Sequence, residues 1–196
     1  MVSKIARVLG VLVLSAVPMV ARAAEPAAAG GVKGEIVAWI QDAEDKLTEL
    51  ANATPEGKYA WRPAKGARTV GDVFMHVAGA NFGIPSMVGV KAPEGFNFQT
   101  YEKSLTKKAD IDKAMKDSFA HVKKALLATS DADLEKPVDL FGRKTTVRGA
   151  YLMALSHVHE HLGQSIAYAR SNNIEPPWTA RYSKKSDKGG AAKTAE

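Results

Sequence analysis

Residues 151–169 read Tyr-Leu-Met-Ala-Leu-Ser-His-Val-His-Glu-His-Leu-Gly-Gln-Ser-Ile-Ala-Tyr-Ala, and their apolar side chains return at steps of three and four. At about 100° per residue, Tyr151, Leu155, Val158, Leu162, Ile166 and Ala169 fall on one stripe of a helix, which Thr145 and Thr146 are suited to start. Three more stretches share the period. Val32, Ile36, Ile40, Ala43, Leu47 and Leu50 make a first helix that ends before Pro55. A second begins at Thr69, where Thr69 and Asp72 have capping-box spacing ahead of Val73, Val77 and Ala80, and it is expected to fray at residues 83–85. A third carries Ile111, Met115, Phe119, Val122 and Leu126.

No strand pattern competes. Val138, Asp139, Leu140 and Phe141 are read as loop, because Gly142 interrupts them and nothing obvious pairs with them. The class is all-α, and four amphipathic helices bury their stripes most simply as a four-helix bundle. The connection between helices two and three, residues 91–109, is long. At about 3.3 Å per extended residue it can run the length of a bundle, which permits a parallel middle pair and an up-down-down-up order.

A chain of 196 residues, 45% hydrophobic, supplies one domain with a real core. With no cysteine, disulfides, iron-sulfur clusters, thiolate zinc sites and a cysteine nucleophile are excluded, so metal chemistry must use His, Asp or Glu. Residues 1–23 read as a secretory signal peptide: Lys4 and Arg7 precede an apolar run, and the small residues Ala21 and Ala23 stand before a cut. That run, about 13 residues, is short of the roughly 20 of a permanent span, so no stable membrane insertion is expected. The expected location is secreted or periplasmic. Residues 24–31 read as linker, 32–180 as the bundle and 181–196 as a disordered basic tail. The net charge of +6 sits in the leader and the tail, which leaves residues 24–178 formally neutral and argues against nucleic acid.

The histidines carry the functional signal. His157 and His161 stack one turn apart, about 6 Å from each other, on a polar stripe beside the core stripe, a separation from which two imidazoles can converge on one ion at about 2.1 Å. His159 falls on nearly the opposite side. His76 lies at the flank of the second helix's apolar face and is the natural third ligand, while His121 reads as a boundary or surface residue. Three neutral imidazoles leave an ion with open positions for chemistry. Gln164, Tyr168 and Asn81 are the polar groups available around them. The run 157–161 also satisfies HxxEH, the inverted zinc-protease pattern, in which Glu160 would be a general base; the helix turns Glu160 roughly 80° from the His157/His161 stripe.

Four segments resemble the DinB-like (DinB/YfiT) metal-binding four-helix-bundle family. Tyr59-Ala60-Trp61-Arg62-Pro63 looks like its aromatic-x-Pro segment, and residues 68–77, ending in Met75-His76-Val77, look like its capped helix with a ligand His. His161-Leu162-Gly163-Gln164 resembles its His-x-Gly-Gln element, and Tyr168 with Pro176-Pro177 its C-terminal exit. The resemblance implies an up-down-down-up bundle and a divalent cation on His76, His157 and His161; three imidazoles suit Zn, Ni, Co or Fe about equally well. It also implies a metal-dependent transferase or isomerase acting with a low-molecular-weight thiol. Glu160 stands where many relatives have another His. Metallohydrolase chemistry and a non-catalytic metal-binding or stress-related role are the alternatives. A small-molecule substrate is the expected partner, and a homodimer is compatible with the sequence.

Overall fold

The computed structural model describes residues 30–179 and 181; the stretch 1–23 expected to be a signal peptide, most of the expected linker and the expected tail beyond 181 lie outside the described residues. Four long helices form the body: α1 (Gly31–Ala53), α2 (Val70–Met87), α4 (Lys108–Ala128) and α6 (Val147–Ser171). Two single-turn helices, α3 (Phe98–Tyr101) and α5 (Asp131–Leu134), interrupt the connections. Each long helix starts or ends where its sequence demands. Thr69 and Asp72 close the capping box of α2, each accepting the other's backbone N–H at 3.0 Å, and Thr146 Oγ accepts from Gly149 N–H to start α6.

Both α1 and α2 pack on α4 and α6. Lys33, at the start of α1, donates to the Thr129 carbonyl and pairs with Asp131 just past the end of α4, whereas Lys108 at the start of α4 donates to the Ala51 and Thr54 carbonyls at the end of α1. Those two helices are antiparallel, with a cation at each C-terminal end where the helix dipole is negative. In contrast, Gly71 faces Ile111 while Asn81 bonds Ser118, so α2 and α4 run parallel. Trp39 touches His159, and Glu49 binds Arg181 beyond the end of α6, so α6 runs with α1. The order is up-down-down-up. Ile40, Leu47, Phe74, Val77, Phe119, Tyr151 and Val158 meet in the core, each at 1% exposure or less. Each such side chain contributes about 1.5–3 kcal/mol.

Three local expectations are corrected. Residues 137–146 form a hairpin, not a loop: β1 (Pro137–Leu140) pairs antiparallel with β2 (Arg143–Thr146). Phe141 and Gly142 take the positive φ values, 55° and 79°, of a two-residue primed turn, and Asp139 Oδ1 accepts from Gly142 N–H, so Gly142 turns the strand instead of ending it. Second, α2 does not fray at 83–85 but runs through Pro85 to Met87. Proline in the last turn deprives only the Asn81 carbonyl of its helical donor, and burial of Phe82, Ile84 and Pro85 holds the turn in place. Third, Gly31 belongs to α1, not to the linker.

Between Val70 and Pro85 only Asp72 and His76 are not fully buried. The long connection is the reason: residues 88–107 lie along α2, with Phe96 and Tyr101 against Phe82, and Phe98 over Gly83. Among the described residues no helix is long and apolar enough to cross a membrane. Thr69→Ala is expected to cost about 1 kcal/mol in urea melts by removing the α2 cap. The ring positions of His76, His157 and His161 should survive it, as read from their NMR shifts.

Candidate metal centre

The histidines meet where α2 and α6 cross in opposite directions. The ring centroids of His76, His157 and His161 form a near-equilateral triangle with sides of 4.9, 4.6 and 4.5 Å. One ligand nitrogen from each lies within 4.8 Å of the others, and His157 Nε2 is 3.1 Å from His76 Nε2. Two nitrogens bound side by side to one ion at about 2.1 Å stand roughly 3.0–3.4 Å apart. The closest pair already has that spacing. Bringing the widest pair, within 4.8 Å, to that spacing takes a closure of at most about 1.4–1.8 Å shared between the side chains.

The outer ring nitrogens explain why the inner ones are available. His76 Nδ1–H donates to Glu102 Oε2 at 2.9 Å, and His161 Nδ1–H donates to Gln164 Oε1 at 2.8 Å. The Gln164 amide is oriented in turn by donating to the Tyr168 hydroxyl at 3.0 Å, and Tyr168 packs edge-on against Trp61. A ring whose proton is held on Nδ1 presents its Nε2 lone pair, the ligand form. His157 Nδ1 is buried without a partner among the described residues, so that ring is oriented by packing and by the contact of its Nε2 with His76. Burial, then the neighbouring His161 and His76 and the Arg68 charge, push His157 down to about 3. Burial and then Arg68 and His161 also lower His76, against the opposing pull of Glu102. Both rings are therefore neutral at pH 7.

The remaining polar candidates lie elsewhere. His159 donates from Nδ1 to the Leu155 carbonyl at 3.0 Å and stands against Trp39, away from the triangle. Glu160 is exposed. His121, half-buried on α4, stacks edge-on against Phe82. Asn81 is a core residue, not a site residue: it is 1% exposed and donates to Ser118 Oγ at 3.2 Å. Two groups escaped the sequence reading. Glu102, on the connection, accepts from both His76 and Arg68, and Arg68 sits just ahead of the α2 cap. Neither carries a periodic or motif signal that points to a histidine. A groove of about 420 Å³ opens beside His76, between these residues and Phe98.

Residues 40–165 match the model of the DinB superfamily. The chain belongs to the DinB superfamily. No curated protein matches the sequence at a significant level. Among solved structures, a DinB-like protein from Bacillus cereus superposes with a TM-score of 0.64 at 20% identity, covering 74% of this chain and 95% of its own. YfiT from Bacillus subtilis, described as a probable metal-dependent hydrolase with an unusual four-helix bundle topology, gives 0.58 at 11% identity over 78% and 95%. A mycothiol-dependent maleylpyruvate isomerase gives 0.54 at 15% identity, covering 66% of this chain and 59% of its own. At these identities the superpositions establish the shared fold of this superfamily.

The depressed His157 has a consequence for the metal-free DinB-superfamily chain. Below about pH 6.5 the unfolded chain takes up a proton that the folded chain refuses until about pH 3, so stability falls with pH across that window. Between pH 7 and 5, urea melts in the presence of a chelator should show a loss of about 1–2 kcal/mol attributable to this residue. His157→Gln, neutral throughout, should flatten the profile by that amount; equal slopes for the two proteins would contradict the assignment.

Proposed function

We propose that His76, His157 and His161 hold one divalent cation, and that the protein is an exported, metal-dependent transferase that acts on a small molecule with a low-molecular-weight thiol. The observation that carries this is the convergence of three imidazole nitrogens within 4.8 Å, with two of the rings turned by Glu102 and Gln164 so that Nε2 faces inward. When bound there, a divalent ion supplies Lewis acidity that favours the anionic form of a thiol. The chain does the rest. Glu102 and Gln164 keep a proton on Nδ1 of their histidines, burial keeps His76 and His157 neutral, and the groove beside His76 admits a small molecule.

Two observations favour a transferase over the alternatives. A hydrolase of the HxxEH type needs a carboxylate free to take a proton from water near the ion, yet Glu160 is exposed and Glu102 is committed to His76 and Arg68. A non-catalytic metal binder would be closed by apolar side chains, whereas here a groove of about 420 Å³ reaches His76. The mycothiol-dependent isomerase on the same fold supports a thiol partner. Export rests on the pattern of residues 1–23, and it calls for a thiol available outside the cytoplasm.

Metal analysis of protein from its native compartment, followed by a screen of thiols and electrophiles with the loaded form, tests the reading. Mass spectrometry of that protein should find a chain beginning near Ala24. His161→Ala should abolish stoichiometric uptake and His159→Ala should leave it unchanged, while Glu102→Ala should weaken affinity about 10–100-fold through loss of the outer hydrogen bond. Metal lost on His159→Ala but retained on His161→Ala would reject the site.

A further inference from the structure

The groove beside His76 presents hydrogen-bond donors that the histidine cluster leaves unused. Glu102 Oε2 accepts from Arg68 Nε at 3.0 Å and from His76 Nδ1 at 2.9 Å, so these two nitrogens lie within about 6 Å of each other. Arg68 meets Glu102 through Nε, and neither Nη has a partner among the described residues, which leaves the end-on edge of the guanidinium, one N–H from each Nη, available. That edge is a planar pair of donors, the shape that binds a carboxylate through two parallel hydrogen bonds. The Gln99 side-chain amide, also on the groove, likewise has no partner among the described residues.

Charge points the same way. Around the groove Arg68 and Lys103 are offset by Glu102 and Asp72, and Lys103 pairs with Asp72 at 2.5 Å. Imidazoles add no negative charge, so a divalent ion bound among the three would leave an excess of about two positive charges beside the groove. The walls are not those of an inorganic-anion site. Phe98 forms one side and Gly79, without a side chain, part of the floor, leaving about 420 Å³ for an organic body.

We infer that this groove is the substrate site and selects small organic carboxylates, with the carboxylate on the Nη edge of Arg68, the body against Phe98 and Gly79, and the reactive end toward His76, the one histidine of the cluster that lines it. The inference rests on the metal-centre reading above. Arg68 is then a specificity-determining residue that contacts substrate, and Glu102 is a positioning residue that aligns Arg68 and His76 together.

The test uses the full chain loaded with cobalt and a matched pair of thiols, 4-mercaptobutyrate and its neutral counterpart 4-mercapto-1-butanol, with binding followed by the thiolate-to-cobalt absorption. The anionic thiol should bind about tenfold more tightly, and the preference should fall to about twofold or less in Arg68→Gln. Arg68→Lys, which keeps the charge facing Glu102 but loses the two-donor edge, should lose most of it and serves where the Gln variant fails to fold. Equal binding of the two thiols by the wild type would overturn the inference and leave the metal centre intact. A preference that survives both variants would place the carboxylate on the cobalt and overturn the role of Arg68. Failure to take up cobalt would overturn the metal reading and this inference with it.

Discussion

The parallel run of α2 and α4 is the constraint from which the site follows. Two neighbouring helices in the same direction cannot be joined by a tight turn, because the chain must return from the end of one to the start of the other. The 18 residues of α2 span about 27 Å. Residues 88–107, at about 3.3 Å each, supply more than twice that distance. The surplus length is spent on packing: the α3 turn and its aromatic residues cover the outer side of α2, and an otherwise half-solvated helix becomes the most enclosed in the bundle. Only Asp72 and His76 between Val70 and Pro85 keep partial access to solvent, and the same connection delivers Glu102 to His76.

Burial on that scale sets the electrostatics. A histidine withdrawn from water loses more from being charged than from being neutral, so the helix crossing that brings three imidazoles together also keeps His76 and His157 in the form that binds a cation. Like charges on His76 and His157 would repel across a centroid separation of 4.9 Å, and the neutrality of these two rings removes that conflict. Orientation is distributed unevenly: a carboxylate holds His76 and an amide holds His161, while His157 has neither and depends on α6 and the two facing rings.

Helical phase made the core and the histidine cluster legible in the sequence. Period 3.6 separates His157 and His161 from His159, and it turns His76 toward the neighbouring helix; the structure has all four in those positions. What periodicity does not encode is the path of a connection. Glu102 lies in a stretch with no repeating pattern, and its meeting with His76, 26 residues earlier, depends on where the returning chain is pinned. The hairpin at 137–146 was obscure for a related reason. Its turn places Phe141 at φ 55°, a conformation in which bulky side chains are uncommon, so the residue gives no hint of the turn it occupies. Asn81 misled because a polar residue near a candidate site and one buried in the core look alike until Ser118 is placed beside it.

The connection is pinned by aromatic packing. Phe96, Phe82 and Tyr101 form a mutually touching trio, with ring centroids 5.1–5.7 Å apart, and His121 closes on Phe82 from α4. Tyr101 is the residue immediately before Glu102. A side chain one bond removed from an anchored ring has little freedom to drift, so the aromatic packing between α2, α4 and the connection determines where the Glu102 carboxylate stands. Through that carboxylate it determines the orientation of both His76 and Arg68. The apolar cluster and the polar site are thus two faces of one short segment, and the chemistry on one face depends on the close packing of the other.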